Sequence, residues 1–107
     1  MRAPFTAENM KDEAGRPAGG FVRGTGLDIA WQNGPLGRGA ERAEPNGAFV
    51  ETVLAAVLQR IQHYQESGFS CRENALAITK IEEALLWLDS RTQRRESANV
   101  EGTHQGN

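Results

Sequence analysis

The sequence predicts an α+β protein: a two-helix antiparallel hairpin with a small N-terminal β element, assembled as a dimer or higher oligomer. Three observations predict this fold. Apolar residues alternate at Leu27, Ile29 and Trp31, as they do along a short strand. Two later segments repeat apolar residues at three- and four-residue spacing, as amphipathic helices do. A break at Ser67-Gly68 separates these two segments.

The 107 residues suit one small domain flanked by polar ends. Residues 1–26 mix charged residues, Pro and Gly without periodicity, which predicts a disordered N-terminal lead. Residues 27–98 form the expected β-decorated hairpin domain, and its strand is followed by a glycine-rich loop to Pro45. Residues 99–107 are expected to be a flexible tail.

The first helix is predicted to begin after Asn46, an N-cap residue, and to end before Gly68, which suits a left-handed closing position. Tyr64 lies at the C-terminal end of its apolar stripe. The other members of the stripe are Val50, Val53, Leu54, Val57, Leu58 and Ile61.

A second helix is predicted to start at a capping box formed by Ser70 and Glu73. Its main apolar stripe comprises Ile78, Ile81, Leu85 and Leu88, and Ala77 and Ala84 lie beside it. At about 100° per residue, Leu76 and Trp87 lie on a different face. Two helices and a strand bury little surface, so this second apolar face predicts either cover by the strand or self-association.

Composition excludes several classes of protein. A net charge of −2 argues against a dedicated DNA- or RNA-binding module. The chain has no apolar run long enough to cross a bilayer, and residues 1–20 contain no signal-peptide core. One cysteine leaves no intramolecular disulfide, so a reducing cytoplasm is the expected compartment.

The sequence contains no catalytic constellation. His63, His104 and Cys71 do not share a metal-ligand spacing. Cys71 near a helix start could have an activated thiol, although a small structural cysteine is the simpler interpretation. The adjacent Glu82-Glu83 pair diverges around the helix and is typical of a solvated face. We therefore expect no catalytic residue, no metal and no cofactor.

Three arginines crowd the end of the second helix, in the stretch "SRTQRRE". Arg91 and Arg95 are four residues apart and share one helix face, whereas Arg94 points toward the face of Trp87. One interpretation is a complement to the helix dipole, with ion pairs to neighbouring carboxylates. The alternative is a paired guanidinium clamp for phosphate, which suits arginine's planar fork.

Residues 46–95 resemble a known family. The segments "FVETVLAAVLQRIQHYQ" and "CRENALAITKIEEALLWLDSRTQRR" are similar to the helical hairpin of two phage anti-defence sponges, the Thoeris anti-defence protein one and the anti-CBASS protein two. The upstream "WQNGPLGRG" and "EPNGAFVE" resemble the strand-and-loop decoration of the first. The resemblance extends over residues 27–103, and the second helix is its most specific part.

The resemblance implies a cytoplasmic protein of the infected bacterium that sequesters immune second messengers without cutting them, glycocyclic ADP-ribose above all. In that family an aromatic ring stacks the base, an asparagine hydrogen-bonds it, and two arginines hold the phosphates. The matching ligand-binding residues are Tyr64, Asn74, Arg91 and Arg95. The preceding loop adds two less certain candidates, Arg38 and Arg42. Family members also form trimers of dimers and bind cyclic di- and trinucleotides.

Helix geometry adds a condition of its own. Asn74 and Arg91 are separated by about 25 Å of helix at 1.5 Å per residue, too far for one small ligand. If all these residues contact one ligand, the arginines come from a second, antiparallel protomer. Two alternatives stay open: a hydrolase that degrades the same signal, and a helical adaptor whose arginines contact acidic protein surface.

Overall fold

A computed structural model describes residues 1–37 and 39–97. These residues form two units, a strand unit of residues 1–49 and a helix unit that begins at Val50. The strand unit contains β1 (Phe5–Lys11), β2 (Pro17–Gly24) and β3 (Leu27–Trp31). The helix unit contains α1 (Val50–Glu66) and α2 (Arg72–Ser97). The α+β fold class is therefore confirmed, whereas assembly into a dimer or higher oligomer stays a prediction.

The three strands form an antiparallel meander in the order β1-β2-β3. Phe21 of β2 is the partner of Glu8 on one side and of Ala30 on the other. The pairing of β1 with β2 shifts between Asn9 and Lys11, where β2 has one residue more than β1. The predicted strand at residues 27–31 is thus confirmed, as the third strand of a larger sheet.

The prediction of a disordered lead at residues 1–26 is wrong, because this segment contains β1 and β2. The strands are joined by a turn that Asp12 organises. Its carboxylate accepts hydrogen bonds from the backbone N–H groups of Ala14 (2.9 Å) and Arg16 (3.0 Å), and Gly15 takes a positive φ of 80°. β1 is exposed along its whole length. A strand exposed on both faces needs no alternation of apolar and polar residues, the pattern that marks a half-buried strand in a sequence.

Asn46 is not the N-cap of α1, since that helix begins four residues later. Its side chain instead bridges the backbone of Asn33, accepting from the N–H (2.8 Å) and donating to the carbonyl (3.0 Å). The Gln32 side-chain carbonyl accepts from the backbone N–H of Asn46 at 2.8 Å. A Cβ on Gly47 would lie 2.6 Å from the carbonyl carbon of Trp31, so the chain passes β3 where only glycine fits. The hydrogen bonds of Asn46 with Gln32 and Asn33 therefore join the two ends of the loop that follows β3.

The ends of the helices follow local capping chemistry. Gly68 has a φ of 88°, and the Phe69 N–H donates to the Tyr64 carbonyl at 3.2 Å, as in a Schellman closure. The prediction for Gly68 is therefore confirmed. α2 begins at Arg72, so Cys71 rather than Ser70 holds the N-cap position, and its sulfur accepts from the Asn74 N–H at 3.4 Å.

The two helices contact each other. On α1 the half-buried members of the predicted stripe are Val53, Leu54, Leu58 and Ile61, whereas Val50, Val57 and Tyr64 are exposed. On α2 the whole predicted stripe and the two alanines beside it are half-buried, namely Ile78, Ile81, Leu85, Leu88, Ala77 and Ala84. No described side chain is fully buried. Leu76 and Trp87, on the second face, are 47% and 70% exposed. Within the helix unit, the hairpin alone therefore leaves this second apolar face uncovered.

Candidate functional site

A cavity of about 240 Å³ lies at the turn of the helical hairpin and is lined by Tyr64, Phe69 and Asn74. These residues come from the last turn of α1, the connecting turn and the first turn of α2. Two aromatic rings and one carboxamide therefore share a small open depression. Such a lining suits a flat heterocycle, which can stack on a ring and exchange hydrogen bonds with an amide.

Tyr64 projects from the last turn of α1, where its carbonyl takes part in the helix closure. Its hydroxyl accepts a hydrogen bond from Nε of Arg60 at 3.1 Å. The Arg60 guanidinium also lies over the Tyr64 ring, 5.0 Å from its centroid. One turn of helix separates the two residues, so α1 itself sets this arrangement.

Asn74 is held in place by the turn that it faces. Its Nδ2 group donates to the carbonyl of Phe69 at 3.2 Å. The turn is further fastened by Gln65, whose amide donates to the Cys71 carbonyl (3.2 Å) and accepts from the Cys71 N–H (2.9 Å). The Asn74 Oδ1 atom has no hydrogen-bond donor among residues 1–37 and 39–97. It can therefore accept a hydrogen bond from a ligand.

Phe69 was not among the residues that the sequence pointed to. Its ring is 71% exposed although it lines the cavity. The signal available in the sequence was its position immediately after Gly68, where an apolar residue often accompanies a Schellman closure. That position normally packs back on the helix, so an exposed ring there is a feature that only the tertiary structure shows.

The structure brings Tyr64 and Asn74 together, as their places beside the turn led us to expect. It does not bring Arg91 and Arg95 to them within one helix unit. All 26 residues of α2 form one uninterrupted helix, so about 25 Å of helix separates Asn74 from Arg91. Arg91 is exposed and Arg95 half-buried. Their roles in ligand binding stay predictions.

The arginine pair lies at the free end of the longer helix. α2 has 26 residues and α1 has 17, and the two run back from a short turn. The last turns of α2 therefore extend roughly 13 Å beyond the start of α1. Of the two loop candidates, Arg42 follows the short 3₁₀ helix Gly39–Glu41 in the strand unit, and Arg38 lies outside the described residues.

The remaining polar candidates have local structural roles. The Ser67 hydroxyl donates to the carbonyl of His63 at 2.6 Å and lies 3.4 Å from both of its ring nitrogens. Cys71 is exposed and caps α2, and His104 lies outside the described residues. In the described part of the chain, no three His, Cys, Asp or Glu side chains are grouped as a metal site would need. The helices described there are also too short or too polar for a membrane span.

Two comparisons with known proteins bear on this site. The family model "Acb2/Tad1, hairpin domain" matches residues 24–93, which include α1 and most of α2. The chain is also similar to a protein of Bacillus phage SBSphiJ7 named "Thoeris anti-defense 1", with 57% identity over 60 residues. That match takes in 56% of this chain and 42% of the phage protein, so the chain spans about two fifths of the length of that relative.

Proposed function

This chain belongs to the Acb2/Tad1 hairpin domain family, and on that premise we propose that it is a phage anti-Thoeris protein that sequesters glycocyclic ADP-ribose. The protein would act in the cytoplasm of the infected bacterium, where such a signal is made. It would bind the messenger without breaking a bond. The relative named "Thoeris anti-defense 1" supports the anti-defence role.

The observation that carries the proposal is the cavity at the hairpin turn. A cyclic ADP-ribose has one adenine and one pyrophosphate. Tyr64 and Phe69 offer rings for the adenine, and the Asn74 Oδ1 atom can accept from its exocyclic amine. The three lining side chains include no His, Cys, Ser, Lys, Asp or Glu, the groups that most hydrolases use as nucleophile or base. The cavity is thus suited to holding a base rather than to cutting a bond.

The pyrophosphate needs cations that the cavity lining lacks. Arg91 and Arg95 supply two guanidinium groups one turn apart, a spacing suited to adjacent phosphates. Because Arg91 and Arg95 lie about 25 and 31 Å from Asn74 along one uninterrupted helix, they would serve the cavity of a second copy of the chain. We therefore propose a two-fold dimer with two equivalent shared sites.

The face that would bring the copies together is the one containing Leu76 and Trp87. Both side chains are largely exposed in one chain, and apolar surface of this kind marks an interface. The resemblance also implies trimers of dimers and binding of cyclic di- and trinucleotides. Sedimentation measures the first, and titration with those nucleotides measures the second.

The proposal is tested by titrating glycocyclic ADP-ribose into the protein and measuring heat. The Arg91→Ala and Arg95→Ala variants should lose capture while retaining the helical spectrum and assembly state of the unmodified protein. Arg94→Ala is the matched control, since it removes a neighbouring positive charge from the same helix end and should bind normally. Full affinity in folded Arg91→Ala protein would refute the assignment of the phosphate contacts.

A release experiment separates capture from degradation. The complex is formed, heat-denatured, and the released nucleotide is analysed by chromatography. Intact messenger agrees with sequestration, whereas a linear or cleaved product would identify a hydrolase. A complete absence of binding heat and of any thermal shift would instead favour an adaptor whose arginines contact an acidic protein surface.

A further inference from the structure

We infer that Arg60 is a positioning residue of the cavity: it fixes the orientation of the Tyr64 ring and reserves one side of that ring for the ligand. This inference rests on the proposed function, because it concerns how Tyr64 presents itself to a base. It assigns a role to a charged residue that does not line the cavity.

The first support is the double contact between the two side chains. Nε of Arg60 donates to the Tyr64 hydroxyl at 3.1 Å, and the guanidinium carbon lies over the ring, 5.0 Å from its centroid. A hydrogen bond alone would leave the ring free to rotate about its long axis. The guanidinium above the ring restricts that rotation as well, so the two contacts together define one ring orientation.

The second support is the position of the guanidinium relative to the cavity. Tyr64 lines the cavity and Arg60 does not, so in this proposal the guanidinium covers a part of the ring that lies outside the cavity wall. A base can then stack only on the cavity side, beside Phe69 and Asn74. A cation on the far side also polarises the ring, and it keeps a second aromatic group from stacking there.

The third support is that Arg60 has no competing acidic partner. Within residues 1–37 and 39–97, no carboxylate forms an ion pair with its guanidinium, although Arg16, Arg23 and Lys80 all have such partners. The contact with Tyr64 is therefore its principal interaction in the described part of the chain. Because Arg60 already restricts the Tyr64 ring in the free protein, ligand binding loses less side-chain entropy and is correspondingly tighter.

The experiment uses the fact that the chain has a single tyrosine. Protein labelled with ¹³C at the tyrosine Cζ gives one resonance, which reports on Tyr64 alone. In the free protein, Arg60→Met should shift that resonance. Arg23→Met, which removes an arginine whose contacts are with Phe21 and Asp28 of the strand unit, should leave it unchanged. An unshifted resonance in Arg60→Met would overturn the inference whether or not any ligand binds.

Affinity for glycocyclic ADP-ribose provides the second readout. Arg60→Met should weaken binding about two- to tenfold, the usual cost of ordering one side chain. The same change made in a Tyr64→Phe background, where the hydroxyl is missing, should have a smaller effect. Undiminished affinity in Arg60→Met, or an equal loss in both backgrounds, would overturn the inference while leaving the proposed function intact. No binding by the unmodified protein would instead refute the proposed function itself.

Discussion

A mixing experiment tests whether the ligand site is shared between two chains. In the proposed dimer, each site takes Tyr64 from one protomer and the arginine pair from the other. Tyr64→Ala removes the stacking ring and Arg95→Ala removes a phosphate contact. Each variant alone should therefore carry two defective sites and bind glycocyclic ADP-ribose weakly or not at all.

The magnitude of recovery follows from the length of α2 and from two-fold symmetry. Because about 25 Å of helix lies between Asn74 and Arg91, the two substitutions fall in different halves of a site. In a mixed dimer one site combines the intact Tyr64 of one chain with the intact Arg95 of the other, and the second site has both defects. Random exchange makes about half of the dimers mixed, so about one quarter of all sites should regain normal affinity.

Isothermal titration calorimetry gives both quantities that the experiment needs. The two variants are mixed in equal amounts, incubated long enough to exchange subunits, and titrated with glycocyclic ADP-ribose. The expected result is a stoichiometry near one quarter of the unmodified value at unchanged affinity. A control mixes unmodified protein with the Tyr64→Ala, Arg95→Ala double variant. In each mixed dimer of this control, one site lacks Tyr64 and the other lacks Arg95, so neither site is intact. Failure of the two single variants to recover any binding, although exchange is demonstrated, would refute the shared site.

Two further predictions concern assembly and the sheet. Trp87→Ala should weaken self-association by about 3 kcal/mol per protomer, because an indole that is 70% exposed in one chain would bury roughly 100–175 Å² at an interface. Sedimentation velocity measures the association, and Phe5→Ala, which removes another exposed aromatic ring, is the control. Unchanged association of Trp87→Ala would exclude this face as the interface. The backbone N–H of Arg16, aided by that of Ala14 and by the Arg16 charge, lowers the pKa of Asp12 from its ordinary value of 3.8. The Asp12 carboxylate should therefore stabilise the β1–β2 turn fully above pH 3.8 and lose this effect as the pH falls through the lowered pKa. Amide exchange at Gly15 should show the loss and Asp12→Asn should abolish it, whereas identical pH profiles for both proteins would contradict the assignment.

The strand unit shows where sequence patterns failed. Residues 5–24 form a hairpin whose first strand is exposed along its length, so no alternation of apolar and polar residues marks it. Its stability comes from the Asp12 turn and from backbone pairing, neither of which depends on apolar periodicity. The Asn46 misassignment has a related cause. The Asn46 side chain, although suited to capping a helix, forms hydrogen bonds with the backbone of Asn33. Spacing along the chain does not reveal this longer-range contact.

The helix unit shows where the patterns succeeded. The stripe of Ile78, Ile81, Leu85 and Leu88 is half-buried as predicted, and Gly68 closes α1 with a positive φ. These features depend on residues three to five positions apart, where helix geometry is fixed by covalent structure and hydrogen bonding. The start of α2 was displaced by one residue, because the Cys71 sulfur accepts the capping bond in place of the Ser70 hydroxyl.

Residue patterns alone predicted the two helices, the turn between them, and the place of Tyr64 and Asn74 on either side of that turn. Each of these follows from local periodicity and capping. The place of Phe69 at the cavity is visible only in the folded chain, because side-chain rotamers at a turn depend on neighbours in space. The contact of Arg60 with the Tyr64 ring joins residues one helical turn apart, a spacing that the sequence shows, whereas the hydrogen bond itself depends on the rotamers that the two side chains adopt.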